Sequence, residues 1–324
     1  FLAPAILSLI AAAQVDHGCW YSMAPDGKSG GTRMVARTLE RILREENADL
    51  VTGVGVRKIL REGNRATGVE LDTGRQIMAD AVVSNCDVQR TYRDLLGDDE
   101  SLTEQHKIAE KYTPACSGVV LYLGLNRRYE HLAHHNFLFS GNSQQEFDDI
   151  YSKGIPARDP TIYLAVPSRT DETQAPPGCE AFYALIHTAY VRPGQNWEGK
   201  GGLLEQYKPV IMAKLKRFGM PDIEQHVVVD RFLSPAGIER MYNAEGGAIY
   251  GLASHGKLKG GFKPRNRSRV LKNLYLTGGS SNPGPGVPMV LMSGVTAAKA
   301  LREDHKLPLK PIDRAESGYA VAAE

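Results

Sequence analysis

Residues 273–301 constrain the fold of this 324-residue chain more than any other segment. Leu274-Tyr-Leu predicts a short buried strand, residues 278–286 predict a loop rich in glycine and proline, and residues 290–302 carry the apolar spacing of a helix. Glycine lets a backbone approach a ligand closely, and the free N–H groups at a helix N-terminus stabilise an oxygen or an anionic ring edge. The segment therefore predicts a strand, a ligand-facing loop and a helix.

The helix start in this segment suits a planar cofactor. Pro288 fits the first turn of a helix. The pyrimidine side of a flavin offers an edge that such a helix start can orient. The alternative is an ordinary strand–loop–helix crossing in which glycine and proline only shape the turn, and the glycine pattern alone does not separate the two.

Residues 30–85 have the pattern of an α/β unit. Gly30 and Gly31 open an amphipathic helix, and residues 49–53 predict a strand. A hairpin turning at Gly63-Asn64 follows, and residues 76–85 predict a further strand.

From about residue 90 to 265 the segments are longer and more aromatic. Residues 118–125, 161–166 and 181–187 predict strands, which we expect to be antiparallel. Residues 201–218 show apolar positions at helical spacing, and Gly219 ends that helix. The strands are candidates for the wall of an elongated apolar tunnel, although an ordinary sheet core explains any single residue in them.

The glycine loop carries a family resemblance. The run Leu274-Tyr-Leu-Thr-Gly-Gly-Ser-Ser-Asn-Pro-Gly-Pro-Gly-Val-Pro, followed by a helix, resembles the C-terminal signature of bacterial-type phytoene desaturases of the flavin amine oxidase superfamily. Further stretches resemble the same family in the same order, from about residue 17 to about residue 305: Ala81-Val-Val-Ser-Asn-Cys-Asp, Gly118-Val-Val-Leu-Tyr-Leu-Gly-Leu, Leu132-Ala-His-His-Asn, Glu146-Phe-Asp-Asp-Ile, Pro167-Ser-Arg-Thr-Asp, Ala175-Pro-Pro-Gly-Cys-Glu and Pro264-Arg-Asn-Arg-Ser.

The resemblance implies a mixed α/β fold, in which an incomplete Rossmann-like FAD-binding domain is interleaved with an antiparallel-sheet substrate domain. It implies an FAD-dependent oxidoreductase that desaturates phytoene or a related long isoprenoid in carotenoid biosynthesis. The expected divisions are a substrate-domain or interfacial helix (1–25), two parts of the FAD-binding domain (26–90 and 266–306), a substrate-binding domain (91–265) and a tail (307–324).

The resemblance also implies the residues that contact the cofactor. Val56 would contact the adenine through its backbone, and Ser84 would lie near the cofactor at a strand end, although strand packing or capping explains either residue equally well. No catalytic residue is assigned, because hydride removal by a flavin mainly needs the C–H bond placed against the ring. The residues expected along the flavin are Gly278, Gly279, Pro283, Gly284, Gly286, Val287, Pro288 and Met289.

The sequence departs from the family pattern in two places. Asn282 stands where many relatives have histidine, and an amide keeps hydrogen bonding but cannot titrate near neutral pH. The strand–GxGxxG–helix that holds the FAD phosphates is absent from these 324 residues. We therefore expect tight FAD binding to need the missing amino-terminal segment of the same enzyme as a partner.

The amino-acid composition limits which other partners are expected for the chain. With 39 basic and 37 acidic residues the formal charge is only +2, so no nucleic-acid partner is expected. Four scattered cysteines without a CxxC pair suggest neither a metal nor a disulfide framework. The histidines at 131, 134 and 135 are expected to form a polar surface cluster, and Asp148-Asp149 a solvated helix face.

An apolar polyene substrate implies contact with a membrane. Residues 1–13 are apolar but fall short of the ~20 residues that a span needs, so they are a candidate interfacial element of a cytoplasmic protein peripheral to the membrane. The alternatives to a desaturase are an isomerase, saturase or terminal oxidase on the same scaffold, or a non-catalytic fragment without bound FAD.

Overall fold

The computed structural model describes residues 12, 14–16, 18, 20–25, 27, 30–255 and 261–308. Its strands are β1 (Val56–Glu62), β2 (Arg65–Leu71), β3 (Gln76–Met78), β4 (Val82–Ser84), β5 (Ser117–Leu125), β6 (His135–Leu138), β7 (Ile162–Ala165), β8 (Glu180–Thr188), β9 (Val227–Leu233) and β10 (Leu274–Leu276). The helices with described bounds are α1 (Arg33–Glu45), α2 (Val88–Arg90), α3 (Asp99–Lys111), α4 (Ser143–Phe147), α5 (Leu203–Arg217), α6 (Ile223–His226), α7 (Pro235–Tyr242) and α8 (Val287–Asp304). Helices α2 and α4 continue as π-helical turns over Thr91–Leu96 and Asp148–Lys153.

The largest layer is a five-stranded antiparallel sheet in the order β6-β7-β8-β5-β9. Along β8 every second residue is buried, so Phe182, Ala184 and Ile186 lie on one face. That face packs against α5, where Ile211 and Leu215 are fully buried. The antiparallel strands and the helix ending before Gly219 agree with the sequence prediction.

The second layer contains the short parallel pair β4–β10 and the antiparallel sheet β1-β2-β3. Its core combines Ile59 of β1, Val82 of β4 and Leu274 and Leu276 of β10 with Tyr92 after α2. The expected mixed α/β fold is confirmed. The proposed domain boundaries stay a prediction.

The predicted strand at residues 49–53 does not form. In the described part of the chain these residues pair with no strand, and Leu50 and Val51 are exposed. A strand is defined by hydrogen bonds to a neighbour, so an extended segment without one remains a loop.

The expectation for Asp148-Asp149 was half wrong, since Asp149 is buried beside Lys153.

Two expected segments lie largely outside the description. Of the interfacial element at residues 1–13 only residue 12 is described, and of the tail at 307–324 only residues 307 and 308. Within the residues that are described, no helix combines the length and the apolar character needed to cross a bilayer.

Truncating the core of the large sheet should cost stability. Leu215→Ala removes a fully buried side chain of α5 and should lower the free energy of unfolding by about 2–5 kcal/mol. Leu43→Ala on α1, where the leucine is 42% exposed, should change it by less than about 0.5 kcal/mol. Urea denaturation of the two variants measures the difference, and equal losses would contradict this assignment of the core.

Candidate functional site

The glycine loop begins where β10 runs beside β4. Leu276 pairs with Ser84, and the Thr277 N–H donates to the Ser84 carbonyl at 2.9 Å. Gly278 follows with φ +96°, and a Cβ there would lie 2.8 Å from Oδ1 of Asn85. Both the backbone angle and the space therefore require glycine at this position.

Two buried polar side chains hold the loop against its neighbours. The Gly278 N–H donates to Oγ of Ser293 on α8 at 2.8 Å, and that hydroxyl donates to the Val290 carbonyl. The Asn266 amide donates to the carbonyls of Leu276 and Asn282 at 3.0 and 2.9 Å. The strand end, the loop and the helix are thus tied together by hydrogen bonds within the chain.

The start of α8 faces open space. Gly286 precedes the helix with φ +105°, and a Cβ there would meet no atom of the described residues within 4 Å. Because Gly286 has no side chain and Pro288 has no N–H, the backbone N–H groups of Val287 and Met289 point from an uncapped first turn. Val287 is 54% exposed. This end can receive an electronegative ring edge.

The structure brings most of the predicted cofactor residues together. Ser84 adjoins the loop through Thr277, while its own hydroxyl lies 2.9 Å from Oγ1 of Thr91. Val56 lies apart, opposite Leu71 in the β1-β2-β3 sheet. The others occupy one continuous loop and first helical turn: Gly278, Gly279, Pro283, Gly284, Gly286, Val287, Pro288 and Met289. Their contacts with a cofactor stay a prediction.

A short segment joins the loop to the large sheet. The Ala115 N–H donates to the Gly251 carbonyl at 2.8 Å, and the Ile249 N–H donates to the Cys116 carbonyl at 3.1 Å, just before β5. A Cβ on Gly251 would lie 2.8 Å from the Ser280 backbone nitrogen. The backbones at 251 and 280 therefore pack directly against each other.

Lys263 is a buried cation beside the loop. Its residue is only 6% exposed, and Nζ donates to the Leu252 carbonyl at 2.7 Å and to Oγ of Ser254 at 2.8 Å. Its side chain would lie 3.5 Å from a Cβ on Gly284. Burial lowers the pKa of Lys263 to about 8. Sequence reasoning missed this residue, because one lysine between Phe262 and Pro264 carries no distinguishing pattern.

The large sheet presents aromatic side chains on the face opposite α5. Tyr122, Tyr183, Tyr163 and Phe137 lie on four adjacent strands, and we call these four residues the aromatic row. Ring centroids are 5.6 Å apart for Tyr122–Tyr183, 6.3 Å for Tyr183–Tyr163 and 5.1 Å for Tyr163–Phe137. Tyr122 is 39% and Phe137 53% exposed, so the row forms an open aromatic surface.

The three candidate histidines bind separate partners. His131 Nε2 lies 3.0 Å from the Phe218 carbonyl, His134 Nδ1 lies 2.6 Å from Oγ1 of Thr170, and His135 Nδ1 lies 2.8 Å from the Tyr163 hydroxyl. Among the described residues, no three His, Cys, Asp or Glu side chains converge as metal ligands do.

Comparison with known proteins identifies the family. Residues 4–302 match the model of flavin containing amine oxidoreductases. The chain belongs to this family. The superfamily to which the sequence resemblance pointed is thereby confirmed, and so is a flavin as the cofactor of the family. The loop fits such a group, because the glycine at 286 leaves open the space that a side chain would fill.

Curated relatives share more sequence than the solved structures do. The chain is 38% identical over 297 residues to a 4,4'-diaponeurosporene oxygenase of Staphylococcus haemolyticus, covering 91% of this chain and 57% of that protein. It is 37% identical over 296 residues to the enzyme of the same name in Staphylococcus aureus, with the same coverage. The chain therefore spans little more than half the length of these relatives.

Two solved structures share the fold. An oxidoreductase from Methanosarcina mazei superposes with a TM-score of 0.50 at 16% identity, covering 83% of this chain and 54% of that one. A putrescine oxidase variant superposes with a TM-score of 0.53 at 12% identity, covering 85% of this chain and 53% of that one.

Gly286→Val should abolish flavin binding without unfolding the protein. The valine side chain would enter the open space before α8, and flavin absorbance of the chain co-produced with a matching amino-terminal segment should be lost. Gly178→Val is the control, because Gly178 also has a positive φ (+77°) and open surroundings but lies in the turn before β8. Retained flavin in Gly286→Val, or its loss in both variants, would contradict this placement of the ring.

Lys263 should make stability depend on alkaline pH. Its pKa of about 8 in the folded chain lies below the ~10.4 of an unfolded lysine, so the unfolded state binds more protons between these values and the free energy of unfolding rises with pH there. The full interval is worth at most about 3 kcal/mol. Relative to Lys263→Met, the wild type should gain in urea midpoint from pH 7.5 to pH 10; a constant difference would refute it.

Proposed function

We propose that this chain forms part of an FAD-dependent oxidoreductase that acts on an apolar polyene in carotenoid biosynthesis. One observation carries the proposal: the segment around Gly251 packs on the glycine loop and also pairs with the residues leading into β5, one of the strands of the aromatic row. A cofactor at the loop and a ligand on the row would therefore lie side by side.

The aromatic row suits a long conjugated chain. Aromatic rings give a large apolar contact with little loss of side-chain freedom, and their faces favour other π systems. The row crosses four strands, so its length is about 15 Å from strand spacing alone. The names of the curated relatives, which are oxygenases of the polyene 4,4'-diaponeurosporene, support the same substrate class.

Desaturation is the reaction that we propose first. A bound flavin supplies the hydride acceptor. The residues of this chain would orient the ring edge at Val287 and Met289 and hold the polyene against the row. Oxidation of a terminal carbon is the second candidate, because the curated relatives are named as oxygenases.

We further propose that FAD is held jointly with an amino-terminal segment. Val83 on β4 and Leu291, Met292 and Val295 on α8 are between 43% and 51% exposed, an apolar surface that a preceding strand–turn–helix would cover. Peripheral membrane contact belongs to the same proposal, because an apolar polyene dissolves in the bilayer. The exposure of Phe137 and Phe139 on and after the edge strand β6 supports such contact.

The proposal is tested by mixing the flavin-loaded protein anaerobically with a polyene. We expect the flavin to bleach and the polyene absorption to move to longer wavelength, whereas oxidation of an end carbon would add oxygen to the product, which mass spectrometry detects. Flavin binding without bleaching by any polyene would overturn the function. No flavin binding, even with the amino-terminal segment, would indicate a non-catalytic fragment.

Shortening the aromatic row should weaken polyene binding. Tyr183→Ala removes the ring that contacts both Tyr122 and Tyr163, and the dissociation constant of the polyene should rise about tenfold. Phe232→Ala is the matched control, because Phe232 lies opposite Leu121 on the other face of the sheet and is 50% exposed. Quenching of protein fluorescence by the polyene measures both variants; equal affinities would argue against the row as the binding surface.

A further inference from the structure

His187 stands between the aromatic row and the glycine loop. It lies on β8 four residues beyond Tyr183, on the same face of the sheet. Its Nε2 is 3.4 Å from the Tyr250 hydroxyl, and the two ring centroids are 5.9 Å apart. Tyr250 precedes Gly251, whose backbone packs on Ser280 of the loop. The imidazole and phenol therefore occupy the junction of the two surfaces.

The groups around this pair favour a neutral imidazole. Burial lowers the pKa of His187, and the charge of Glu146 only partly opposes that shift. Burial first, and then the neighbouring Cys116, raises the pKa of Tyr250, so its hydroxyl keeps its proton. The next groups outward are the thiol of Cys116 and the phenol of Tyr151, whose pKa values are also raised by burial. A neutral imidazole can accept a proton.

The proposed oxidation releases a proton that some group must take. A bound flavin would accept a hydride from one carbon of the polyene, and the double bond would form as the neighbouring carbon loses its proton to a base in the same step. Asn282, at the position where many members of the resembled family carry histidine, cannot accept it. Resting on the proposed function, we infer that the His187–Tyr250 pair is the proton acceptor of this reaction.

In the proposed step the His187–Tyr250 pair takes up one proton from the polyene. The C–H electron pair of the carbon next to the one that gives up the hydride becomes the new double bond, and its proton ends on Nε2 of His187, either directly or by way of the Tyr250 hydroxyl. The imidazolium then releases the proton to solvent. His134 and His135 lie at the β6 edge of the row and are engaged by Thr170 and Tyr163. His255 lies one ring further out, with its centroid 4.8 Å from that of Tyr151, and burial lowers its pKa as well. His187 is the histidine that shares a strand with Tyr183 and contacts Tyr250.

The first test measures flavin reduction by a polyene in a single anaerobic turnover. In flavin-loaded protein, His187→Gln should slow reduction about 100-fold and Tyr250→Phe about tenfold, with polyene affinity changed less than about twofold. The wild-type rate should fall as pH drops through the lowered pKa of His187, and His187→Gln should lose that dependence. His106→Gln, an exposed histidine on α3, is the matched control and should behave as wild type.

The second test needs no turnover. Nuclear magnetic resonance of labelled histidine rings in this chain should show His187 titrating below pH 6.5, and Tyr250→Phe should move that midpoint. Reduction by His187→Gln at the wild-type rate and pH profile, or a midpoint at or above 6.5, would overturn the proton role. A wild type that binds flavin but reduces it with no polyene would instead overturn the proposed function itself.

Discussion

Asn266 makes the hydrogen bonds on which the shape of the glycine loop depends. Its backbone carbonyl accepts the Leu276 N–H at 2.8 Å, and its side chain donates to the carbonyls at 276 and 282. One 6% exposed residue thus satisfies backbone groups at the end of β10 and within the loop. Leaving these buried carbonyls without a donor would cost more than an average hydrogen bond is worth. The loop is therefore shaped by hydrogen bonds within the chain.

Close backbone packing also holds the two layers together. At Gly251 and Ser280 the backbones meet so closely that no side chain fits between them. Near this contact, Arg90 pairs with Glu239 at 2.8 Å and Arg93 with Glu245 at 2.8 Å, linking the helix after β4 to α7 and the turn that follows it. These ion pairs are partly exposed, so they fix orientation more than they add stability. A displacement of the large sheet would consequently displace the glycine loop as well.

Local patterns in the sequence revealed the local structure. The strand, loop and helix at 273–302 were predictable because glycine, proline and apolar spacing act over a few residues, and the longer, more aromatic runs that form β5, β7 and β8 predicted antiparallel strands. Lys263, Asn266 and the His187–Tyr250 pair were not recognised, because their roles arise from contacts between distant parts of the chain. The residues at 49–53 misled the prediction, because β propensity does not supply a partner.

The aromatic row also has a metric consequence. Its rings are carried by neighbouring strands, whose separation of about 4.8 Å is fixed by backbone hydrogen bonds and not by the side chains. The length of ligand that the row can contact therefore increases in steps of one strand. A point substitution can remove one ring but cannot change the spacing of the strands. A longer contact would require another strand or another ring at an edge such as β6.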